Sequence, residues 1–183
     1  MYLRFHKKEQ FNLMKNEHFR KAEPKDLPVI WDILKQAISR RKDDGSKQWQ
    51  DGYPNPTVIE NDISMGCAFV LCVEREVVGY CALLINDEPE YENIEGDWIT
   101  NTDFVVFHRL AISKNHIGKG LSKKILLQIE AYAKSKKVFS IKADTNFDNP
   151  AMISLFTKMG YQYCGQVYFR GSPRKAYEKP LFT

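Results

Sequence analysis

His108–Lys136, HRLAISKNHIGKGLSKKILLQIEAYAKSK, is the stretch on which the reading of this chain turns. A strand-like run ends there, a loop holding Gly118 and Gly120 among lysines follows, and a long amphipathic helix begins at once. The first backbone N–H groups of a helix lack intrahelical partners and sit at the positive end of its dipole. Such a junction is therefore a cradle for an anion such as a phosphate, and the glycines allow close approach. At about 100° per residue, Leu121, Ile125, Leu126, Ile129, Tyr132 and Ala133 fall on one arc, while Lys123, Glu130 and Lys134 fall opposite. That is the pattern of a helix packed on a sheet.

Outward from this helix, Asp103–Ser113 before it and Val138–Ala143 after it read as strands, so the crossover makes them parallel neighbours. Cys67–Val73 and Val77–Ile85, separated by Glu74, Arg75 and Glu76, read as a buried hairpin. Asn149-Pro150 is an N-cap and first helical residue, and Gly160 stops the helix they open. YQYCGQVYF and RKAYEKPLF, around Gly171-Ser172-Pro173, form a closing hairpin. Upstream, HFRKA is a first strand. Pro24 opens a helix with Leu27, Ile30, Trp31, Leu34 and Ile38 on one face, and Arg40–Asp51 breaks that pattern.

The loop KQWQDGYPNP carries two large residues, Trp49 and Tyr53, read either as a small cluster tucked under the loop or as a substrate wall. A short helix, Pro56–Met65, follows. Residues 1–17 form an appended extension, helical or disordered, and 18–183 form the domain. The predicted class is α/β: a mixed, largely antiparallel central sheet, flanked by helices, with a parallel pair made by the fourth and fifth strands.

Bulk composition narrows the function. With 183 residues, 43% of them hydrophobic and 13% aromatic, the chain suits one well-buried core. Twenty-seven Lys and Arg against 23 Asp and Glu leave a net charge of +4, too mild to announce nucleic acid. Cys67, Cys72, Cys81 and Cys164 make no C-x-x-C pair and the histidines are scattered, so no metal site and no disulfide framework is expected. Strand-sized apolar runs and the absence of a secretion-type N-terminus point to the cytoplasm, with no membrane partner. Asn86–Asp97 holds six carboxylates, Glu88 among them, and no Lys or Arg. It is either a solvated loop or a field that attracts cationic substrates.

Rossmann and P-loop sites use similar physics, but there is no G-x-x-x-x-G-K-[ST], and the cradle follows several earlier strands. From His18 onward, the order of elements resembles the GCN5-related N-acetyltransferase (GNAT) superfamily. HRLAISKNHIGKGLSKKIL is similar to that family's strand followed by Arg/Gln-x-x-Gly-x-Gly/Ala, here Asn115 to Gly120. DNPAMISLFTKMGY, Asp148–Tyr161, is similar to its Asn…Leu-Tyr-x-x-x-Gly-Phe segment. The resemblance implies an acyl-CoA N-acyltransferase fold and acetyl-CoA as co-substrate, with Leu110, Ile112, Asn115, Ile117, Gly118, Lys119, Gly120, Leu121, Ser122, Asn149 and Phe156 around it. Asn115 stands where the family has Arg or Gln, leaving phosphate binding to backbone N–H groups, Lys119 and Lys123. Phe156 replaces the tyrosine that often protonates the departing sulfur, with Tyr161 and Tyr163 as weaker substitutes.

The implied reaction is direct attack of an amine on the thioester carbonyl, with backbone N–H groups near Leu110 as oxyanion donors. Strand alternation puts Val106, His108 and Leu110 on one face, which carries the base in several relatives, so His108 is the candidate base. Arg109 points to the other face, where an internal salt bridge is its expected role. Trp49, Tyr53 and Glu88 are the acceptor-side candidates, and a small cationic amine is favoured over a peptide amine. A non-catalytic acyl-CoA-binding or sensing module is the rival reading, and an interaction or nucleic-acid module a weaker third. A homodimer is compatible with the sequence.

Overall fold

The structure is a computed structural model that describes residues 17–181. The extension expected over residues 1–17 lies outside it except for Glu17, which begins the first strand. In chain order the elements are β1 (Glu17–Lys21), α1 (Leu27–Asp43), α2 (Pro56–Ser64), β2 (Ala68–Val73), β3 (Glu76–Ile85), β4 (Glu95–Gly96) and β5 (Val105–Ile112). Then come α3 (Leu121–Ser135), β6 (Ser140–Thr145), α4 (Pro150–Lys158), β7 (Gln162–Phe169) and β8 (Ser172–Pro180). Short 3-10 segments, Pro24–Asp26, Pro89–Asn93 and Lys114–His116, lie between them.

Among the described residues the eight strands form one sheet in the order β1-β2-β3-β5-β6-β8-β7-β4. Every neighbouring pair is antiparallel except β5 and β6, which the α3 crossover makes parallel. The parallel pair is thus the fifth and sixth strands. Two-residue β4, at the sheet edge beside β7, shifts the count. Helix α1 begins one short turn after Pro24 and continues to Asp43, through residues read as the break in its pattern. Its buried stripe is Ile30, Ile33, Leu34 and Ala37.

Apolar side chains of α3 and α4 cover one sheet face, where Ile125, Leu126, Ile129 and Phe156 pack on Phe107, Ile141 and Ala143. Across the sheet, Ile30, Leu34 and Ile59 pack on Val70, Tyr80 and Ala111, and Tyr91 seals a smaller cluster with Val106, Val167 and Ala176. Burial on both faces suits the continuous apolar runs of β2 and β3.

Two irregularities at the centre make room for a site. Pairing between β5 and β6 is limited to Val105 with Ile141 and Val106 with Lys142, although both strands continue. Beyond that point a cleft opens between them. In β5 the register against β3 slips between Tyr80 and Ala82, which face Ala111 and His108, and Arg109 has φ +57°. One extra residue is thereby inserted, which is a β-bulge.

Candidate active site

The bulge changes which side chains share a face. Leu110 packs with Phe107 and Ile112 against the cluster under α3, whereas Val106 belongs to the Tyr91 cluster on the opposite face. His108 and Leu110 therefore do not point together as simple alternation requires. The inserted residue reverses the phase, so His108 stays with Val106 while the backbone at Leu110 borders the cleft.

His108 Nε2 lies 2.7 Å from Glu88 Oε2. Glu88 comes from the acidic loop, yet only 9% of its side chain is exposed. Burial is the main influence on its carboxyl and pushes it above the ordinary carboxylate range, against the pull of His108. Glu88 thus stands behind the histidine and not in a substrate wall. Arg109 makes the internal salt bridge expected of it: Nε and Nη2 donate to Asp62 Oδ2 and Oδ1 at 3.0 and 2.7 Å, and Nη1 donates to the Tyr53 hydroxyl. Burial opposes the Arg109 charge, but the Tyr53 and Asp62 oxygens outweigh it and hold the guanidinium's pKa above its ordinary value.

An outer groove of about 390 Å³ runs over the start of α3, and an inner pocket of about 60 Å³ continues from it into the cleft between β5 and β6. Gln48, Trp49, Leu110, Asn149 and Met152 line both. The groove adds Ile112, Ile117, Gly118, Gly120, Leu121 and Ser122, and the pocket adds Tyr53, His108, Asp144, Thr145, Phe156 and Arg174. Of the eleven residues expected around a cofactor, Asn115 and Lys119 are exposed and border neither concavity. Asn115 lies within the tight Lys114–His116 turn, and Lys119 lies between the two glycines.

Gly118 and Gly120 have φ of +80° and +75°, which L side chains rarely adopt, and a Cβ on either would meet open space. Gly120 is the N-cap of α3, so no side chain satisfies the first amides of that helix. Asn149 caps α4 by accepting from the Met152 N–H at 3.2 Å, and its amide donates to Gln48 Oε1 at 3.1 Å. Asp148 holds the same loop through the Ser46 hydroxyl at 2.9 Å. Trp49 packs on the α1 cluster and also lines both concavities.

Residues 31–161 match the model of the acetyltransferase (GNAT) family. The chain belongs to the GNAT family. A GNAT-family acetyltransferase of Streptococcus agalactiae is 33% identical over 91% of this chain and 96% of its own, with a TM-score of 0.84. A GNAT-family acetyltransferase of Listeria monocytogenes superposes with a TM-score of 0.73 over 90% of this chain and 95% of its own, at 23% identity. An uncharacterized N-acetyltransferase of Bacillus subtilis, YesJ, is 26% identical over 76% of this chain and 78% of its own.

Set against the GNAT pattern, Phe156 is 0% exposed and sits among the rings of Phe107, Tyr161 and Tyr177 at the floor of the pocket. Neither substitute tyrosine reaches the site. Tyr161 is buried in the core with its hydroxyl unpartnered among the described residues, and Tyr163 is 54% exposed beside Tyr177. Sequence reasoning missed Arg40 and Arg41, which line the groove because α1 runs one turn further than its apolar pattern. Burial, followed by the Arg41 charge, lowers the pKa of Arg40. Arg41 donates to Asp44, while its buried Nη1 has no partner among the described residues. Three basic residues in the last turn, Arg40 to Lys42, were the available signal. Asp144, Thr145 and Arg174 gave no local signal.

Proposed function

We propose that this GNAT-family chain transfers an acetyl group from acetyl-CoA to the amine of a small molecule or peptide, by direct attack within a ternary complex. The observation that carries the reading is the continuity of the two concavities. A groove that begins at a glycine-capped helix passes the Leu110–Asn149 wall and ends where His108 stands on Glu88.

The residues present fit acetyl-CoA. Free amides at Gly120–Ser122, two left-handed glycines with open space above them, and the unpartnered Arg41 Nη1 suit a pyrophosphate and its neighbouring phosphate. Lys123 also lines the groove, so cationic contact does not depend on Asn115 or Lys119. The β5–β6 ladder stops at Val106, which leaves backbone N–H groups at the bulge free of that neighbour to face a thioester.

Chemistry follows from the tautomer. Glu88 accepts from Nε2–H of His108, which leaves Nδ1 with a lone pair. As the amine nitrogen bonds to the carbonyl carbon, the oxygen takes up charge beside the Leu110 backbone. The amine's proton passes to His108 Nδ1, and collapse of the intermediate breaks the C–S bond. A thiol has a reference pKa of about 8.5, so CoA leaves as thiolate near neutrality without a tyrosine at position 156. His108 is the catalytic residue of this scheme and Glu88 its positioning residue.

The acidic loop supports no preference for a cationic amine. Glu88 is matched to His108, Asp51 is matched to Arg170, and no carboxylate of Asn86–Asp97 lines the pocket. Four buried free cysteines suit a reducing compartment and so the cytoplasm. Among the described residues no helix is long and apolar enough to cross a membrane, and no group of three His, Cys, Asp or Glu is placed to hold a metal.

The buried, protonless Phe156 favours one other reading, an acyl-CoA sensor without turnover. Thiol release from acetyl-CoA, followed across a panel of amines, separates the two. Amine-dependent release, lost together with acetyl-CoA binding in Gly118→Glu, supports the enzyme. Calorimetric binding without release from any amine supports the sensor, and no binding rejects both.

A further inference from the structure

The inner pocket has a second pole that the transfer scheme leaves unused. Arg174, from β8, and Thr145, at the end of β6, meet His108 in its lining, although they are far apart in sequence. Asp144 takes one N–H of Arg174, from Nη1 at 3.0 Å, and its other oxygen accepts from the Tyr91 hydroxyl at 2.9 Å. Burial leaves 3% of the Asp144 side chain exposed, so its charge is spent on orienting the guanidinium and not offered to a ligand. The Phe169 ring, 4.5 Å from Arg174 Cζ, holds the other side of the group.

Held this way, the Nε edge of Arg174 is left over. Nε is buried and without a partner among the described residues, and Nη2 makes no described hydrogen bond. These two nitrogens form the side-on edge that takes both oxygens of a carboxylate in parallel hydrogen bonds. Thr145 is 1% exposed, and its Oγ1 is also unpartnered among the described residues. Buried donors without partners are uncommon in folded proteins, and two lining one pocket point to a missing acceptor atom. The other cation of the lining, Arg109, is occupied on both edges by Asp62 and Tyr53.

We infer that the acceptor is a small amine that also carries a carboxylate, of the free amino acid class. Its carboxylate sits on Arg174 with Thr145 beside it, and its amine faces His108. The pocket's charge agrees with this assignment. Arg174 is matched by Asp144 and Arg109 by Asp62, so these pairs leave no bare charge for a zwitterion to offset, whereas a simple amine leaves the free Arg174 edge unanswered. A volume of about 60 Å³ suits the reacting end of such a molecule.

This inference rests on the acetyl transfer proposed above, and matched acceptors test it without altering the protein. L-phenylalanine is compared with phenethylamine, and L-leucine with isopentylamine, by thiol release from acetyl-CoA. The expected result is a kcat/KM roughly tenfold or more higher for each amino acid than for its decarboxylated partner, the scale of hydrogen bonds to a charged group. In Arg174→Gln that ratio falls toward one while acetyl-CoA affinity by calorimetry stays at the wild-type value. Equal or better use of the decarboxylated amines by the wild type overturns the inference and leaves acetyl transfer standing. So does an Arg174→Gln variant in which both members of each pair lose equally. Failure of the wild type to bind acetyl-CoA overturns the two together.

Discussion

His108 has one ring nitrogen committed to Glu88 and one uncommitted in the described hydrogen bonds, and that asymmetry gives the site its direction. Replacing His108 by Ala is expected to lower kcat by about 10²- to 10⁴-fold, the usual contribution of a positioned acid–base group. Affinity for acetyl-CoA, read by calorimetry, stays near wild type. An unchanged kcat removes His108 as the base. Tyr161 gives the opposite expectation. Burial pushes its hydroxyl's pKa well up and leaves it without a partner among the described residues, so Tyr161→Phe should leave kcat unchanged and raise unfolding stability by about 1 kcal/mol in a denaturant titration. Loss of turnover in that variant would restore Tyr161 as an acid. At this scale, what the sequence disclosed was local. Gly118 and Gly120 mark a loop-to-helix junction because their meaning lies in their own φ angles and in the helix that starts beside them. Glu88 behind His108 and Arg174 beside Thr145 are long-range meetings, and a residue's neighbours in sequence carry no trace of them.

Between residues and fold lies the bulge in β5, and alternation rules fail there because they assume a uniform pleat. The inserted Arg109 is pinned by α2 through Asp62, which also accepts from Tyr80. Asp62→Ala would leave a buried guanidinium short of its counter-charge, at a cost of about 3–5 kcal/mol in a denaturant melt. Because Arg109 shares the bulge with His108 and Leu110, turnover should fall with stability. A melt within about 0.5 kcal/mol of wild type contradicts this role. Helix α1 teaches a related lesson. Its apolar stripe runs out before the helix does, since Arg40–Lys42 occupy a last turn that need not be apolar and whose dipole favours cations. The helix starts of α2 and α4 were legible because Asn55 and Asn149 cap them with their own side chains, at 3.2 Å in each case.

Across the whole molecule, the crossover from β5 through α3 to β6 was readable because a long amphipathic helix between two apolar strands has one favoured topology. The two-residue β4 was not, since so short an edge strand has no periodicity to detect. Stability of the assembled sheet depends on pH through Asp26, a buried residue that accepts two hydrogen bonds from Arg20 of edge strand β1 at 2.7 and 3.0 Å. Arg20, helped by the Glu23 backbone N–H and opposed by burial, holds the Asp26 carboxyl below its ordinary range. The unfolded chain therefore binds this proton more readily than the folded one. The stabilisation is complete above the unfolded value of about 3.9 and is lost as pH falls through the lower folded value. Wild type should exceed Asp26→Asn by about 1–3 kcal/mol at neutral pH, with the gap closing in melts below about pH 4. A gap that stays constant to lower pH contradicts the assignment.

The splayed β5–β6 pair, the glycine-capped α3 and the His108–Glu88 pair together make one claim: acetyl-CoA lies along the groove with its thioester at the bulge. A crystal structure of the protein with acetyl-CoA tests this most directly. The predicted result is a pyrophosphate on the amides of Gly118–Ser122, and a thioester carbonyl between β5 and β6 at the Leu110 backbone, with His108 Nδ1 facing the acceptor side. A pyrophosphate bound away from α3, or a thioester outside the β5–β6 cleft, would contradict it.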